Sequence, residues 1–182
     1  LYSQLTPIEH GIIALFITLS IVGFFLSGVT EVGYCRFQLN LLDGKPAQPD
    51  DLFSQFRRFG TCFCLYLMRL LYIFLWSLLF FIPGIIAAYR YAMAPYILAE
   101  NPSYTASEAI NCSKKMMHGY KARLFCLEFS FLGWKILSAF TFGIANLWIN
   151  PYVSVSRAAF YRWLSRETSE TVSYTHLRAH ET

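Results

Sequence analysis

Charge is what this chain has least of. Asp, Glu, Lys and Arg make up 14% of its 182 residues, against about a quarter in an ordinary water-soluble domain. So small a charged fraction cannot cover a soluble globule. Disorder is excluded as well, because it needs low hydrophobicity and high net charge. Histidine is scarcer still, and His176 and His180 fall in a C-terminal stretch set aside below, which leaves His10 and His118 as surface histidines. The cysteines carry no metal spacing: Cys62 and Cys64 are two apart on an expected helix and point in different directions, while Cys35, Cys112 and Cys126 stand apart in the sequence. The chain has no glycine-rich phosphate loop, no HExxH and no nucleophile elbow. No catalytic residue, metal ligand or cofactor is therefore assigned, the enzyme class is not expected, and no basic patch points to nucleic acid.

What the chain has in abundance is apolar sequence, with 55% hydrophobic and 18% aromatic residues. Residues 11–30, 70–89 and 136–156 each run without a charge. About twenty apolar residues span a bilayer core at 1.5 Å rise per residue. The run at 61–99 is too long for one span and is cut by Pro83-Gly84; that at 120–163 is cut at Thr141-Phe142-Gly143. The expected spans are about 11–33, 61–82, 84–99, 121–140 and 143–164, with the third, short and carrying Arg90, either spanning or re-entrant. Five spans place three basic groups (Arg36, Lys45, Arg57 and Arg58; Lys114, Lys115, Lys121 and Arg123; Arg162 and Arg166) on one face, which the positive-inside rule makes cytoplasmic. The C-terminus is then cytoplasmic too.

Two connectors look helical. Residues 51–59 place Leu52, Phe53, Phe56 and Phe59 at helical spacing, suiting an interfacial helix with Asp50-Asp51 as its N-terminal cap. Residues 104–118 follow Ser103 or Thr105, either of which caps with Glu108, and put Ala106, Ile110 and Met117 on one side. Trp76, Trp134, Trp148 and Trp163 suit aromatic belts near helix ends. The expected fold is an all-α polytopic membrane bundle, one domain over residues 1–171. Residues 172–182 (VSYTHLRAHET) resemble a translated sequencing adapter and are expected to be a non-native tail. The start at Leu1, close to an apolar run, reads as an internal beginning.

Arg69, Arg90, Glu128 and Lys135 lie inside the expected spans. Each costs about 2.5–3.5 kcal/mol there unless it finds a partner, a cavity or the interface. By helical rise, Arg69 and Glu128 sit about 12 and about 10 Å from the cytoplasmic ends of their helices. Matching depth and opposite sign predict an Arg69–Glu128 pair. Arg90 and Lys135 are expected nearer the outer face, snorkelling or lining a cationic vestibule.

The ordered series LWSLLFFIPGIIAAYRYAMAPYILAENP, SEAINCSKKMMHGYKARLF and FSFLGWKILSAFTFGIANLWINPYVSVSRAAFYRWL resembles the bacterial integral-membrane family catalogued as domain of unknown function 975. The motif residues are Pro83, Gly84, Tyr91, Pro95, Tyr96, Gly119, Trp134, Pro151 and Tyr152. The resemblance implies a multi-pass protein of the bacterial inner membrane, with one further helix before the first seen here and no established reaction. Its partners are expected to be the bilayer and either lipid headgroups or another membrane protein. A non-enzymatic envelope or lipid-interacting protein is the first expectation, a small-solute or lipid permease the alternative, and a membrane-embedded lipid-headgroup enzyme the second alternative.

Overall fold

A chain this apolar satisfies its backbone locally, and helices do so within one segment. The computed structural model describes residues 2–46, 48–140 and 143–179; among them the regular elements are helical, without strands. In order these are α1 (Tyr2–Leu42), α2 (Asp50–Phe53), a 3-10 turn (Ser54–Arg58), α3 (Phe59–Leu79), α4 (Phe81–Arg90), α5 (Ala94–Glu100), α6 (Ala106–Met116), α7 (Lys121–Ser130), α8 (Leu132–Phe140) and α9 (Asn146–Ala179). Two stretches, Glu9–Leu42 and Asp50–Leu79, are long and apolar enough to cross a membrane.

Of the other three expected spans, 143–164 lies largely in the continuous helix α9, which is not among the stretches apolar enough to cross, and the remaining two are broken. The stretch expected over 84–99 is α4 and α5, parted by a turn around Tyr91–Met93. The stretch over 121–140 is α7 and α8, parted at Phe131 just before Gly133. Pro83-Gly84 is not itself the turn. Phe80 is the extended residue, with φ −159° and ψ 148°, and Pro83 sits in the first turn of α4, where backbone N–H groups have no helical partner to lose. Gly84 instead lets α4 close on α3, because a Cβ there would strike Ser77. The second expected break falls partly on Thr141 and Phe142, which lie outside the described residues; Gly143 follows in the left-handed region at φ +85°. Pro49, not an aspartate, occupies the N-cap position of α2, without a side-chain capping bond, while Asp51 accepts from the backbone N–H of Gln48 at 3.2 Å.

The core gathers around two short helices, α5 and α6. Residues 94–99 of α5 are all buried. Helix α6 buries Ala106, Ala109, Ile110 and Ser113 along one stripe, and Met117 continues it. Leu65, Leu124, Tyr161 and Leu164 close over them from α3, α7 and α9. Away from this core the surface is apolar: Ile12 and Phe16 of α1, Phe74 and Leu78 of α3, Phe140 of α8 and Leu147 of α9 are all exposed. A typical soluble monomer shows its largest apolar patch at a few hundred Å².

Helix α3 crosses α1 at Gly28. A Cβ there would lie 2.8 Å from the Cys62 carbonyl oxygen and 3.1 Å from Phe63 Cα, both backbone atoms that cannot rotate away. Gly28→Ala is expected to push the helices apart and destabilise the fold by about 1–3 kcal/mol, read as a lower unfolding midpoint of the protein in detergent. Thr105 and Glu108 form the capping box at the start of α6. The Thr105 backbone N–H donates to the carboxylate at 2.7 Å and its hydroxyl at 2.8 Å, which holds the Glu108 carboxyl below its ordinary value. The box therefore contributes fully above the unfolded carboxyl value, and that contribution is lost as pH falls through the lower, folded one. Unfolding midpoints measured against pH should show this acid-side loss disappear in Glu108→Gln, whereas Thr105→Ala should cost about 1 kcal/mol at neutral pH.

Candidate functional site

Residues three or four apart share a helix face, and α1 presents Glu31, Tyr34, Cys35 and Gln38 at that spacing to one cavity of about 500 Å³. Arg69 of α3, Tyr89 of α4, Tyr96 of α5, Glu128 of α7 and both Ser154 and Arg157 of α9 complete its polar lining. The cavity thus collects two guanidinium groups and two carboxylates inside an assembly whose outer surface is largely apolar.

The charges are paired, but not as expected. One Arg69 nitrogen donates to both Glu31 carboxylate oxygens, each at 2.7 Å. Arg157 meets Glu128 at 2.7 Å, and the Tyr89 hydroxyl donates to the same carboxylate at 2.9 Å. Arg69 and Glu128 therefore share a cavity without forming the predicted pair. Depth along the bundle brought them to one level, but the rotational setting of each helix decides which neighbour a side chain meets. The Gly28 crossing turns Arg69 toward α1. The hairpin of α7 and α8 on α9 turns Glu128 toward Arg157, as Phe131 against Tyr152 and Tyr120 against Trp163 show on either side.

Arg90 is also displaced from its expected place. It lines an open depression with Asn111, Lys114, Lys115 and His118, and its backbone carbonyl accepts from Ser113. It belongs with the basic connector, since α4 returns beside α3 and ends against α6. Lys135 is exposed on α8 and does not line the depression that Arg90 joins.

Several motif residues have structural explanations. Tyr96 is buried, stacks on Tyr161 at 5.5 Å and donates to Gln38 Oε1 at 3.2 Å. Pro95 lines the cavity beside it. Tyr91 stacks on Tyr72 at 5.6 Å, with Lys114 Nζ 5.4 Å from the Tyr72 ring centroid. Gly119 turns the chain between α6 and α7 at φ +86°. Trp134 is exposed on α8, and Pro151 lies inside α9 one residue before Tyr152.

Two donors in the cavity wall remain unused. Gln38 is 2% exposed, and its Nε2 is buried without a hydrogen-bond partner; Arg157 is partly exposed, but its Nε atom is likewise buried and unpartnered. Beyond the cavity, Arg162 ties Asp43 at 2.6 Å to Glu100, and Arg36 donates to the Ala99 carbonyl at 3.0 Å. Among the described residues no group of three or more His, Cys, Asp or Glu side chains stands ready for a metal ion. Glu31, Gln38, Ser154 and Arg157 were not singled out from the sequence. Arg157 was within reach, because it is an ionisable residue inside the 143–164 span. Folding residues 121–164 back about residue 142 also sets position 128 opposite 156, next to Arg157.

The profile of a family described as Protein of unknown function (DUF975) matches residues 78–168, half of the chain. No curated protein and no solved structure matches it. The matched segment carries Tyr89, Tyr96, Glu128, Ser154 and Arg157; the facing wall from α1 and α3 lies outside it.

Coupling should therefore follow the observed pairs. In double-mutant cycles on unfolding, Glu31→Gln with Arg69→Gln, and Glu128→Gln with Arg157→Gln, are expected to be non-additive by about 1 kcal/mol or more. The cycle of Arg69→Gln with Glu128→Gln should show less than either.

Proposed function

Because the chain belongs to the DUF975 family of proteins of unknown function, its role rests on its own geometry, and we propose that it is a multi-pass protein of a bacterial inner membrane that binds a polar group in the Glu31–Arg157 cavity without transforming it. The observation that carries this reading is the cavity: two ion pairs facing a space of about 500 Å³, within the range of small-molecule sites. A pair serving only to hold helix register needs no space beside it. Both carboxylates are already held by arginines, which suits binding better than proton transfer.

The membrane setting is supported by the exposed apolar surface of α1, α3, α8 and the start of α9. In this reading α1 and α3 each cross once. The α4–α5 and α7–α8 stretches cross as broken helices, and α9 crosses with its first half. Interrupted backbone is tolerated at membrane depth where protein covers it, and α5 is covered throughout. The two breaks also favour a second reading as a small-solute or lipid permease. Discontinuous helices line substrate sites in such proteins, and Ala92 and Met93, at the first break, line this cavity.

Expressed in bacteria, the chain should stay in the membrane pellet through an alkaline carbonate wash. In a background with every native cysteine replaced, Ile144→Cys should react with an impermeant maleimide added outside intact spheroplasts, and Lys45→Cys only after permeabilisation. Release by carbonate, or outside labelling of Lys45→Cys, would overturn the membrane arrangement.

A further inference from the structure

We infer that the cavity takes a compact zwitterion, an oxyanion of phosphate type carrying a primary ammonium. The inference rests on the reading of the cavity as a binding site and names its ligand class. The chemistry follows from which groups are spent and which are spare. The two unused groups in the wall, Gln38 Nε2 and Arg157 Nε, are both donors, so what they lack is an acceptor. A buried donor left unpaired is destabilising, and a ligand oxygen would satisfy both.

Helical spacing sets the two donors in the same part of the cavity wall. Tyr34 and Ser154 meet at 3.0 Å across the α1–α9 seam. Gln38 lies four residues beyond Tyr34, and Arg157 three beyond Ser154. The helices run in the same direction here, since Asp43 and Arg162 meet further along both. Gln38 and Arg157 are thus each about one turn past the same contact and on the same side of it.

The fixed charges select the rest of the ligand. A simple anion would be drawn to Arg69 and Arg157 but would face Glu31 and Glu128, and a simple cation would meet the reverse. A molecule with both signs engages the seam donors through its oxygens and a carboxylate through its ammonium. Each carboxylate has room for this, because a carboxylate offers about four acceptor positions, and the contacts described account for two at Glu31 and two at Glu128. The lining is also neutral in sum, so a zwitterion leaves the cavity uncharged. The phosphodiester headgroup of phosphatidylethanolamine has this chemistry with no net charge, and free O-phosphoethanolamine carries the same ammonium and oxyanion with up to one further negative charge on its monoester.

The test uses the whole chain purified in detergent. Native mass spectrometry would measure retention of phosphatidylethanolamine against phosphatidylglycerol, and thermal unfolding would be followed with free O-phosphoethanolamine against glycerol 3-phosphate. The expected result is preference for the zwitterion in at least one arm. Retention of the lipid alone identifies a headgroup site, and stabilisation by free phosphoethanolamine alone identifies a soluble ligand. Gln38→Glu keeps an acceptor for Tyr96 but removes the spare donor, and should weaken the preferred zwitterion about tenfold or more. Gln38→Leu provides a second variant without added charge and should weaken it in the same sense. Equal binding of the anionic probes would overturn the zwitterion while leaving a binding cavity. If none of the four probes binds, the cavity is not a site for either class, and the binding reading falls with the zwitterion. Unchanged affinity in both Gln38 variants would move any bound zwitterion out of this cavity.

Discussion

Neutralising charge where it stands is the constraint on which this structure depends. The walls of the cavity hold two arginines and two glutamates in two partly exposed ion pairs, Glu31–Arg69 and Glu128–Arg157. Leaving any one of these charges without a partner beside apolar walls is unfavourable. Each pair therefore fixes more than its own two side chains. Arg69 on Glu31 sets the rotation of α3 against α1, and Arg157 on Glu128 sets α9 against α7. Both need close backbones. Gly28 allows the first approach by offering no Cβ at the crossing. The second comes from the hairpin register between α7–α8 and α9, and Tyr89 adds α4 through its bond to Glu128.

Once those rotations are set, the inner helices have little freedom. Helices α5 and α6 are too short to cross a bilayer alone; α5 is buried over 94–99, and α6 is buried along one stripe with its other face open. Arg36 satisfies a carbonyl near the end of α5, and Arg162 draws Glu100 at its last residue toward Asp43 after α1. Helix α6 begins with a capping box and puts its small residues against the core, which brings Lys114 to the faces of Tyr72 and Tyr91. The basic connector is thus part of the packed body, and Arg90 joins it because α4 ends there.

Periodicity and punctuation made much of this architecture legible in the sequence. The helical class, the Thr105–Glu108 cap and the buried side of α6 could be read there, because each depends on residues within a few turns of one another, and the family could be read from the order of its motifs along the chain. Helix breaks were harder. Gly133 gave little warning that the chain parts at Phe131, and Pro83 marked the beginning of a helix in place of the turn before it. The partners of Arg69 and Glu128 were missed for a different reason: depth is one-dimensional and pairing is not. Hairpin register supplies the second coordinate for Glu128. For Arg69 the clue was fainter, since Glu31 lies three residues past Gly28 and Arg69 three past Tyr66, which meet at the crossing. Gln38 gave no signal, because an amide becomes conspicuous only when burial leaves half of it unused.

The observed pairing also gives the cavity a different character from the predicted one. An Arg69–Glu128 bond would have run across the space from α3 to α7 and left Glu31 and Arg157 each needing another partner. In the structure each pair instead closes within one side: Glu31–Arg69 on the α1–α3 wall, and Glu128–Arg157 on the wall that the family profile covers. The two walls are then separately neutral. Around the cavity, α1 meets the other wall through bonds between uncharged groups, Tyr34 with Ser154 and Tyr96 with Gln38, each worth about 0.5–1.5 kcal/mol. The charged tie between α1 and α9, Arg162 with Asp43, stands further along the seam. Parting α1 from α9 beside the cavity would break neutral hydrogen bonds and no ion pair. A polar guest of the proposed kind would therefore compete with weak contacts only, while the charges facing it stay fixed by their own partners.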